Sequence, residues 1–177
     1  LIRVDMSEYS EEATASRLIG SPPGYVGYGD GGQLTDAVLK RPYSVVLFDE
    51  IEKAHPKIFS LLLQLLDDGQ LTDSVGRKVN FKNTVVIMTS NTGVSFEMDK
   101  RLGFSGSKTD DTPTISRRRT IMAQAKQTFR PEFLGRIDEM IVMNSLTQED
   151  GAKIAELMLE KVKARLEQQG ITLSYDQ

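Results

Sequence analysis

The order of apolar and polar residues along the chain predicts four β-strands. Residues 44–50 are the strongest case, because four consecutive apolar residues without alternation are typical of a strand covered by helices on both faces. Residues 84–91 have the same form and end in three small polar side chains. Shorter apolar runs lie at 1–5 and 139–143. The strongest run therefore predicts a central strand of a parallel sheet.

Helical patterns lie between and after these strands. Pro56 opens a run with apolar residues on one face and Gly69 follows it, which predicts a helix over 56–68. Thr147 is a predicted N-cap for a second helix that ends near Gly170 and begins a smaller helical unit. Strands that alternate with helices indicate an open α/β sheet, whose ligands bind beyond the carboxyl ends of the strands.

Two segments contain too much glycine, proline or polar sequence for a helix or a strand. The first, 20–32, carries Tyr25 and Tyr28 among its glycines, and exposed aromatic rings on a loop indicate a binding partner. The second, 105–113, is polar and predicts a surface loop.

Composition narrows the range of functions. Hydrophobic residues make up 39% of the 177 residues and charged residues 27%, as in a folded domain, and no apolar run approaches the length of a membrane span. Lysine and arginine number 22 against 25 acidic residues, so the net charge of −3 disfavours general binding to nucleic acid. The absence of cysteine excludes thiolate sites, and the single His55 disfavours a His-rich metal centre or a Ser-His-Asp triad. Since no leader begins at Leu1, we expect a cytoplasmic protein without membrane contact.

Asp49 and Glu50 end the strongest apolar strand, which is the Walker B pattern. One carboxylate such as Asp49 can hold Mg²⁺ beside nucleotide phosphates, because this hard cation keeps most of its waters. Glu50 can then polarise the attacking water as a general base. The alternative is a strand end with two solvated acids, and the pattern alone leaves both interpretations open.

Longer motifs extend this pattern along the chain. They are found at 24–27 (GYVG), 49–56 (DEIEKAHP), 89–91 (TSN) and 129–133 (FRPEF). In this order they resemble the second ATPase module of Clp-type AAA+ protein unfoldases, and the similarity covers nearly the whole chain. The resemblance implies the α/β AAA+ fold of P-loop NTPases, an open parallel sheet flanked by helices, with ATP and Mg²⁺ as cofactors.

The resemblance also implies roles for individual residues. Asp49 matches the acid that holds magnesium at the nucleotide, and Glu50 matches the catalytic base. Asn91 matches the sensor that contacts the nucleotide and orients the attacking water, with a turn-forming asparagine as the alternative. Arg136 matches the arginine finger that enters the neighbouring subunit's site, where its fork can span phosphate oxygens. An ordinary surface salt bridge is the alternative, and many relatives have Asn in place of Gly135.

Two loops match segments that contact substrate in the family. Gly24, Tyr25, Val26 and Gly27 match the pore loop whose aromatic ring grips a threaded polypeptide, and a ring suits this because it packs against any side chain. A tyrosine folded back onto its own domain is the alternative. Residues 72–79 resemble an additional pore loop, and a plain hairpin is the alternative there.

A tripeptide after the second long strand matches a partner-binding element. Leu102, Gly103 and Phe104 resemble the hook with which some family members dock onto a ClpP-type peptidase ring. An apolar anchor packed under its own loop is the alternative. If this hook is real, the intact protein is a protease-coupled unfoldase like ClpC or ClpA. If it is not, a stand-alone disaggregase of the ClpB kind stays open.

One family element is missing from the sequence. No G-x-x-x-x-G-K-[ST] loop occurs, and in relatives this Walker A loop and its strand precede the segment that matches Leu1. We therefore expect a fragment without the first strand, with the large α/β subdomain over 1–145 and the start of a small helical lid over 146–177. Alone, such a fragment should be inactive.

The sequence thus predicts part of a homo-hexameric, ATP-driven unfoldase that threads unfolded or tagged proteins through a central pore, with a ClpP-type peptidase as a partner. The alternatives are a stand-alone disaggregase and an ATPase-inactive interaction module. A clamp-loader-like or DNA-remodelling AAA+ ATPase is disfavoured by the 24–27 loop and by the acidic net charge.

Overall fold

A computed structural model describes residues 1–21, 24, 31–92, 113–171 and 173–174. The contacts divide the chain into two compact units, Leu1–Met140 and Ile141–Gln177. Within the described part of the chain, every helix is too short or too polar to cross a membrane.

The first unit contains a parallel three-stranded sheet with the order β1-β2-β5 and a separate antiparallel hairpin of β3 and β4. The strands are β1 (Ile2–Asp5), β2 (Ser44–Asp49), β3 (Gln70–Thr72), β4 (Lys78–Asn80) and β5 (Thr84–Met88). The central position predicted for the strongest apolar run is confirmed, because β2 pairs with a parallel neighbour on each side.

Helices and short 3₁₀ turns connect these strands. The helices are α1 (Glu12–Ala15), α2 (Gln33–Lys40), α3 (Pro56–Asp68), α4 (Pro113–Thr128), α5 (Pro131–Leu134) and α6 (Gln148–Glu167). The 3₁₀ turns are Met6–Tyr9, Ser16–Leu18 and Ile51–Lys53. The predicted α3 is confirmed: Pro56 lies in its first turn, and Gly69 ends it with a left-handed φ of 64°.

Burial of α3 and β2 holds the carboxyl edge of the sheet in place. Val46 and Phe48 of β2 are fully buried, and so is Ile58 of α3. Burying one such side chain contributes about 1.5–3 kcal/mol to stability. An aromatic cluster of Phe59, Phe129 and Phe133, with ring centroids 5.2–6.0 Å apart, joins α3 to the residues around α5.

The fourth predicted strand is wrong. Residues 139–147 form neither helix nor strand, and the side chains of Ile141 and Met143 are 74% and 77% exposed. A strand forms only where a neighbour pairs with its N–H and C=O groups, and residues 139–147 pair with none of the described strands. The face of β5 that carries Val85 and Ile87 is also exposed, so helices do not cover both of its faces within the described residues.

The second unit consists mainly of α6. The predicted N-cap is confirmed, because the Thr147 hydroxyl accepts a bond from the Asp150 N–H and the Asp150 carboxylate accepts one from the Thr147 N–H. Four large apolar residues of α6 are exposed; they are Ile154, Leu157, Met158 and Val162. The contacts divide the chain after Met140, and a lid subdomain from residue 146 stays a prediction.

Candidate functional site

The carboxyl ends of three parallel strands place polar side chains at one edge of the sheet. Asp5 of β1 pairs in register with Asp49 of β2, and β5 ends one residue before Thr89. Glu50 follows β2 directly, and Asn91 lies three residues beyond the end of β5. The structure thus brings Asp49, Glu50 and Asn91 together, as expected for residues at adjacent carboxyl ends.

Asp49 is held by side chains from both neighbouring strands. The Thr89 hydroxyl donates to Asp49 Oδ1 at 2.5 Å, and Arg3 donates to Oδ2 from Nε at 3.1 Å and from Nη2 at 2.5 Å. The Thr89 hydrogen bond, followed by the Arg3 guanidinium, lowers the pKa of Asp49 below its ordinary value. Asp49 is therefore ionised at neutral pH and is available as a metal ligand.

Glu50 adopts a backbone conformation that is unusual for its residue type. Its φ of 55° and ψ of 51° are left-handed, and it is the one non-glycine residue with positive φ in the described part of the chain. This conformation costs roughly 1–2 kcal/mol. The Glu50 N–H donates to the Thr89 hydroxyl at 3.1 Å and the Ile51 N–H donates to the Thr89 carbonyl at 2.9 Å. These bonds tie the strained turn to the end of β5.

The Glu50 carboxylate lies between an amide and an ammonium group. Asn91 Nδ2 donates to Glu50 Oε1 at 3.1 Å, and Lys53 Nζ donates to Oε2 at 2.5 Å. The bond to Glu50 raises the pKa of Lys53. The Asn91 N–H donates to Glu52 Oε1 at 3.0 Å, while the buried Glu52 Oε2 has no hydrogen-bond partner among the described residues. Each oxygen of Glu50 is thus oriented by a separate donor.

Sequence reasoning missed four members of this site: Arg3, Lys53, Thr89 and Glu52. Lys53 follows Glu50 by three residues, so the i, i+3 spacing of opposite charges indicated that pair. Arg3 is separated from Asp49 by 46 residues in sequence. That contact depends on the pairing of β1 with β2, which spacing alone does not reveal.

The donor set suits a magnesium ion that is bound together with phosphates. Within the described residues, no group of three or more His, Cys, Asp or Glu side chains could hold a metal by itself. Magnesium is usually bound through one or two carboxylates plus substrate phosphates. The ionised Asp49 fits that requirement, provided that the cation displaces the Arg3 guanidinium from Oδ2.

Arg136 lies away from this edge of the sheet. It follows α5, and its Nε makes an ion pair with the Asp67 carboxylate near the end of α3. Eleven residues of helix separate Pro56 from Asp67, a rise of about 16 Å. The aromatic cluster of Phe59, Phe129 and Phe133 fixes α5 on α3. The Arg136 side chain is half exposed, and its ion pair with Asp67 places it near the far end of α3 from Pro56.

The two predicted pore loops differ in how much the structure describes. Gly24 has a left-handed φ of 91°, while Tyr25, Val26 and Gly27 lie outside the described residues. Leu102, Gly103 and Phe104 lie outside them as well. The 72–79 segment connects β3 and β4, so it is a hairpin.

Comparisons with family models and with known sequences agree with each other. The family model described as AAA domain (Cdc48 subfamily) matches residues 1–140. An ATP-dependent Clp protease ATP-binding subunit ClpA homolog from Cyanidium caldarium is 56% identical over 98% of this chain. The corresponding ClpC of Staphylococcus saprophyticus is 52% identical, again over 98%. The chain spans 21% of the length of each relative.

Solved structures agree in fold. The S. cerevisiae Hsp104:casein complex in an extended conformation matches 94% of this chain and 28% of its own, with 43% identity and a TM-score of 0.73. A closed-state cryo-EM reconstruction of Hsp104 with ATPγS and FITC casein matches 93% of this chain and 27% of its own, with the same identity and score.

Proposed function

The chain belongs to the AAA domain family (Cdc48 subfamily), and we propose that it forms part of an ATP-driven protein unfoldase. The observation that carries the proposal is the pair of Glu50 and Asn91, whose Oε1 and Nδ2 atoms are 3.1 Å apart at the carboxyl edge of the sheet. A carboxylate beside an amide donor is the arrangement that a general base and a water-orienting sensor require.

In this proposal each residue of the edge has one task. Glu50 accepts a proton from the attacking water, and the left-handed turn keeps its carboxylate beside Asn91. Asn91 orients that water. Asp49 would hold Mg²⁺ beside the phosphates of ATP, where such an ion would supply positive charge next to the phosphate oxygens. Lys53 must release Glu50 Oε2 before this carboxylate can act as a base.

Arg136 acts on a neighbouring subunit. Its separation from Glu50 along α3 and its exposure support a role in trans. The guanidinium must then exchange the Asp67 carboxylate for phosphate oxygens, two acceptors of similar geometry. A closed ring, such as a homo-hexamer, brings every Arg136 to a neighbour's site.

The substrate is an unfolded polypeptide drawn past Tyr25. Support comes from the two Hsp104 structures with casein and from the Clp protease subunits among the relatives. Identity to the Clp protease subunits, 52–56%, exceeds the 43% to Hsp104. This difference favours a peptidase-coupled protein, with Leu102, Gly103 and Phe104 as the docking hook, over a stand-alone disaggregase.

The experiment that tests the proposal is Glu50→Gln in the full-length protein. ATP turnover should fall by about 100-fold or more, because proton transfer by a positioned base contributes that much. ATP binding, measured with a fluorescent analogue, should persist. Asp68→Asn, which neutralises an exposed acid at the end of α3, should leave turnover unchanged. A wild-type protein that binds no ATP would instead favour an ATPase-inactive interaction module.

Tyr25→Ala tests the threading assignment separately. ATP turnover should stay within about twofold of wild type, whereas unfolding of a folded fluorescent protein with an unstructured tail should be lost, because the ring supplies the packing contact. Unchanged unfolding would show that Tyr25 does not grip the substrate.

A further inference from the structure

The two ends of the 21–30 segment lie side by side. Gly20 and Gly31 form an antiparallel bridge. A Cβ on Gly32 would clash with the backbone of Leu18 and Ile19, so the chain leaving the segment packs directly on the chain entering it. The base of the segment is therefore closed by backbone contacts between described residues.

The tip of the β3–β4 hairpin is organised around one buried carboxylate. Asp73 Oδ1 accepts the N–H groups of Val75 at 3.1 Å and Arg77 at 2.7 Å, and the Asp73 side chain has no exposed surface. Gly76 supplies a left-handed φ of 84°. Arg77 Nε donates to Asp73 Oδ2 at 2.5 Å. This turn is rigid because backbone and side-chain donors share a single acceptor group.

The hairpin tip contacts residues on both sides of the 21–30 segment. The Ser74 N–H donates to the Ile19 carbonyl at 2.9 Å, just before the segment. Arg77 Nη2 donates to Asp36 Oδ1 at 2.9 Å, on α2 just after it. A Cβ on Gly31 would overlap the Asp36 carboxylate, so Asp36 covers the exit of the segment while it binds Arg77.

Arg77 is the residue that connects the two acids. Its guanidinium points one donor at Asp73 and another at Asp36, a geometry that lysine cannot reproduce with a single point of charge. An isolated exposed ion pair contributes little to stability. Here the Asp73 end is buried, and the hydrogen bonds to Asp73 and Asp36 raise the pKa of Arg77. The bridge is therefore anchored in the fold at Asp73 and reaches Asp36 on α2.

We propose that Asp73, Arg77 and Asp36 form a clamp that fixes the hairpin to α2 and so couples the position of the hairpin to that of α2. This inference rests on the proposed function, because the position of the hairpin matters only if it contacts a threaded polypeptide. The clamp positions the hairpin and takes no part in ATP hydrolysis. Without it, ATP is hydrolysed but the hairpin shifts against the substrate.

The test uses full-length Arg77→Gln and Asp36→Asn, with Glu12→Gln as the matched control. Glu12 makes an exposed ion pair with Lys57, away from the Asp73, Arg77 and Asp36 hydrogen bonds. We expect both clamp variants to unfold the tailed fluorescent protein about tenfold more slowly, with ATP turnover within about twofold of wild type. Asp36→Glu, which keeps the carboxylate, should restore most of the rate. Unfolding that is unchanged, or that falls in parallel with ATP turnover, would overturn the coupling role.

Hydrogen exchange tests the clamp without any substrate. The amides of 72–79, including Ser74, should exchange about tenfold faster in Arg77→Gln and Asp36→Asn than in wild type or Glu12→Gln. Exchange in 72–79 that does not respond to Asp36→Asn would overturn the clamp itself. A wild-type protein that fails to unfold the tailed substrate would instead contradict the proposed function, and the exchange result would still decide whether the clamp exists.

Discussion

Asp49 and Asp73 are both aspartates paired with arginine, but the two regions use the pair differently. The Asp49 side chain is 24% exposed and accepts hydrogen bonds from the side chains of Arg3 and Thr89. The Asp73 side chain has no exposed surface and also accepts two backbone N–H groups of its own turn. A carboxylate held by the backbone of its own turn is part of the fold, whereas one held by side chains of neighbouring strands can exchange partners.

The largest expected effect concerns activity at Asp49. Asp49→Ala should lower ATP turnover by on the order of 100-fold, because the carboxylate that we propose as the magnesium ligand is lost. Asp73→Ala should not approach this loss at temperatures where the protein is folded. Steady-state ATP turnover over a magnesium titration checks both variants, and equal losses would break the comparison.

For stability, Asp73→Ala should have the larger effect and Asp49→Ala the smaller one. Asp73→Ala removes the acceptor of two backbone N–H groups and of the Arg77 guanidinium, and water can reach only part of them. We expect the free energy of unfolding to fall by about 2 kcal/mol. Asp49→Ala should change it much less, since its partners are solvated. Urea denaturation measures the difference, and a greater destabilisation by Asp49→Ala would contradict this interpretation.

Acid should weaken both pairs. Burial acts to raise the pKa of Asp73, but the hydrogen bonds from Arg77 and Val75 outweigh it, so the pKa lies below the ordinary 3.8. A folded-state pKa below the unfolded one stabilises the protein fully above the unfolded value, and the contribution is lost as pH falls through the folded value. Urea midpoints at pH 7, 5, 4 and 3 should fall only at the low end. Asp73→Asn should flatten that decline.

A variant of Arg3 tests whether a cation can replace this residue as the partner of Asp49, and the expected effect is smaller. A cation that binds Asp49 must displace the Arg3 guanidinium from Oδ2. Arg3→Gln should therefore lower the magnesium concentration for half-maximal ATP turnover by about threefold, the size of an exposed ion pair. An increased magnesium requirement would indicate that Arg3 assists the cation site.

The smallest effect is expected at Gly135, the residue before Arg136. Gly135 has an ordinary right-handed φ of −68°, and a Cβ would lie 3.3 Å from the Pro131 carbonyl oxygen. Alanine lowers the conformational entropy of the unfolded chain, which favours folding and should offset this close contact. Gly135→Ala should therefore change the free energy of unfolding by less than about 0.5 kcal/mol. A loss above 1 kcal/mol in urea denaturation would show that the turn before Arg136 requires glycine.

Local patterns in the sequence determined the elements whose causes are local. The unbroken apolar run predicted the buried β2, Pro56 and Gly69 marked the limits of α3, and Thr147 marked the start of α6. These features follow from burial on both faces of a strand and from capping within one turn. The same reasoning predicted that Asp49, Glu50 and Asn91 lie at one edge, because parallel strands share their carboxyl ends.

Tertiary structure decided whatever depends on contacts between distant residues. The predicted strand at 139–143 was wrong because a strand needs a pairing neighbour, which an apolar run alone cannot supply. The link between Arg3 and Asp49 required the register of β1 on β2, and the bridge from Arg77 to Asp36 required the hairpin to fold back on α2. Sequence determined which side chains could ionise or cap; the packing of the strands and the hairpin determined their partners.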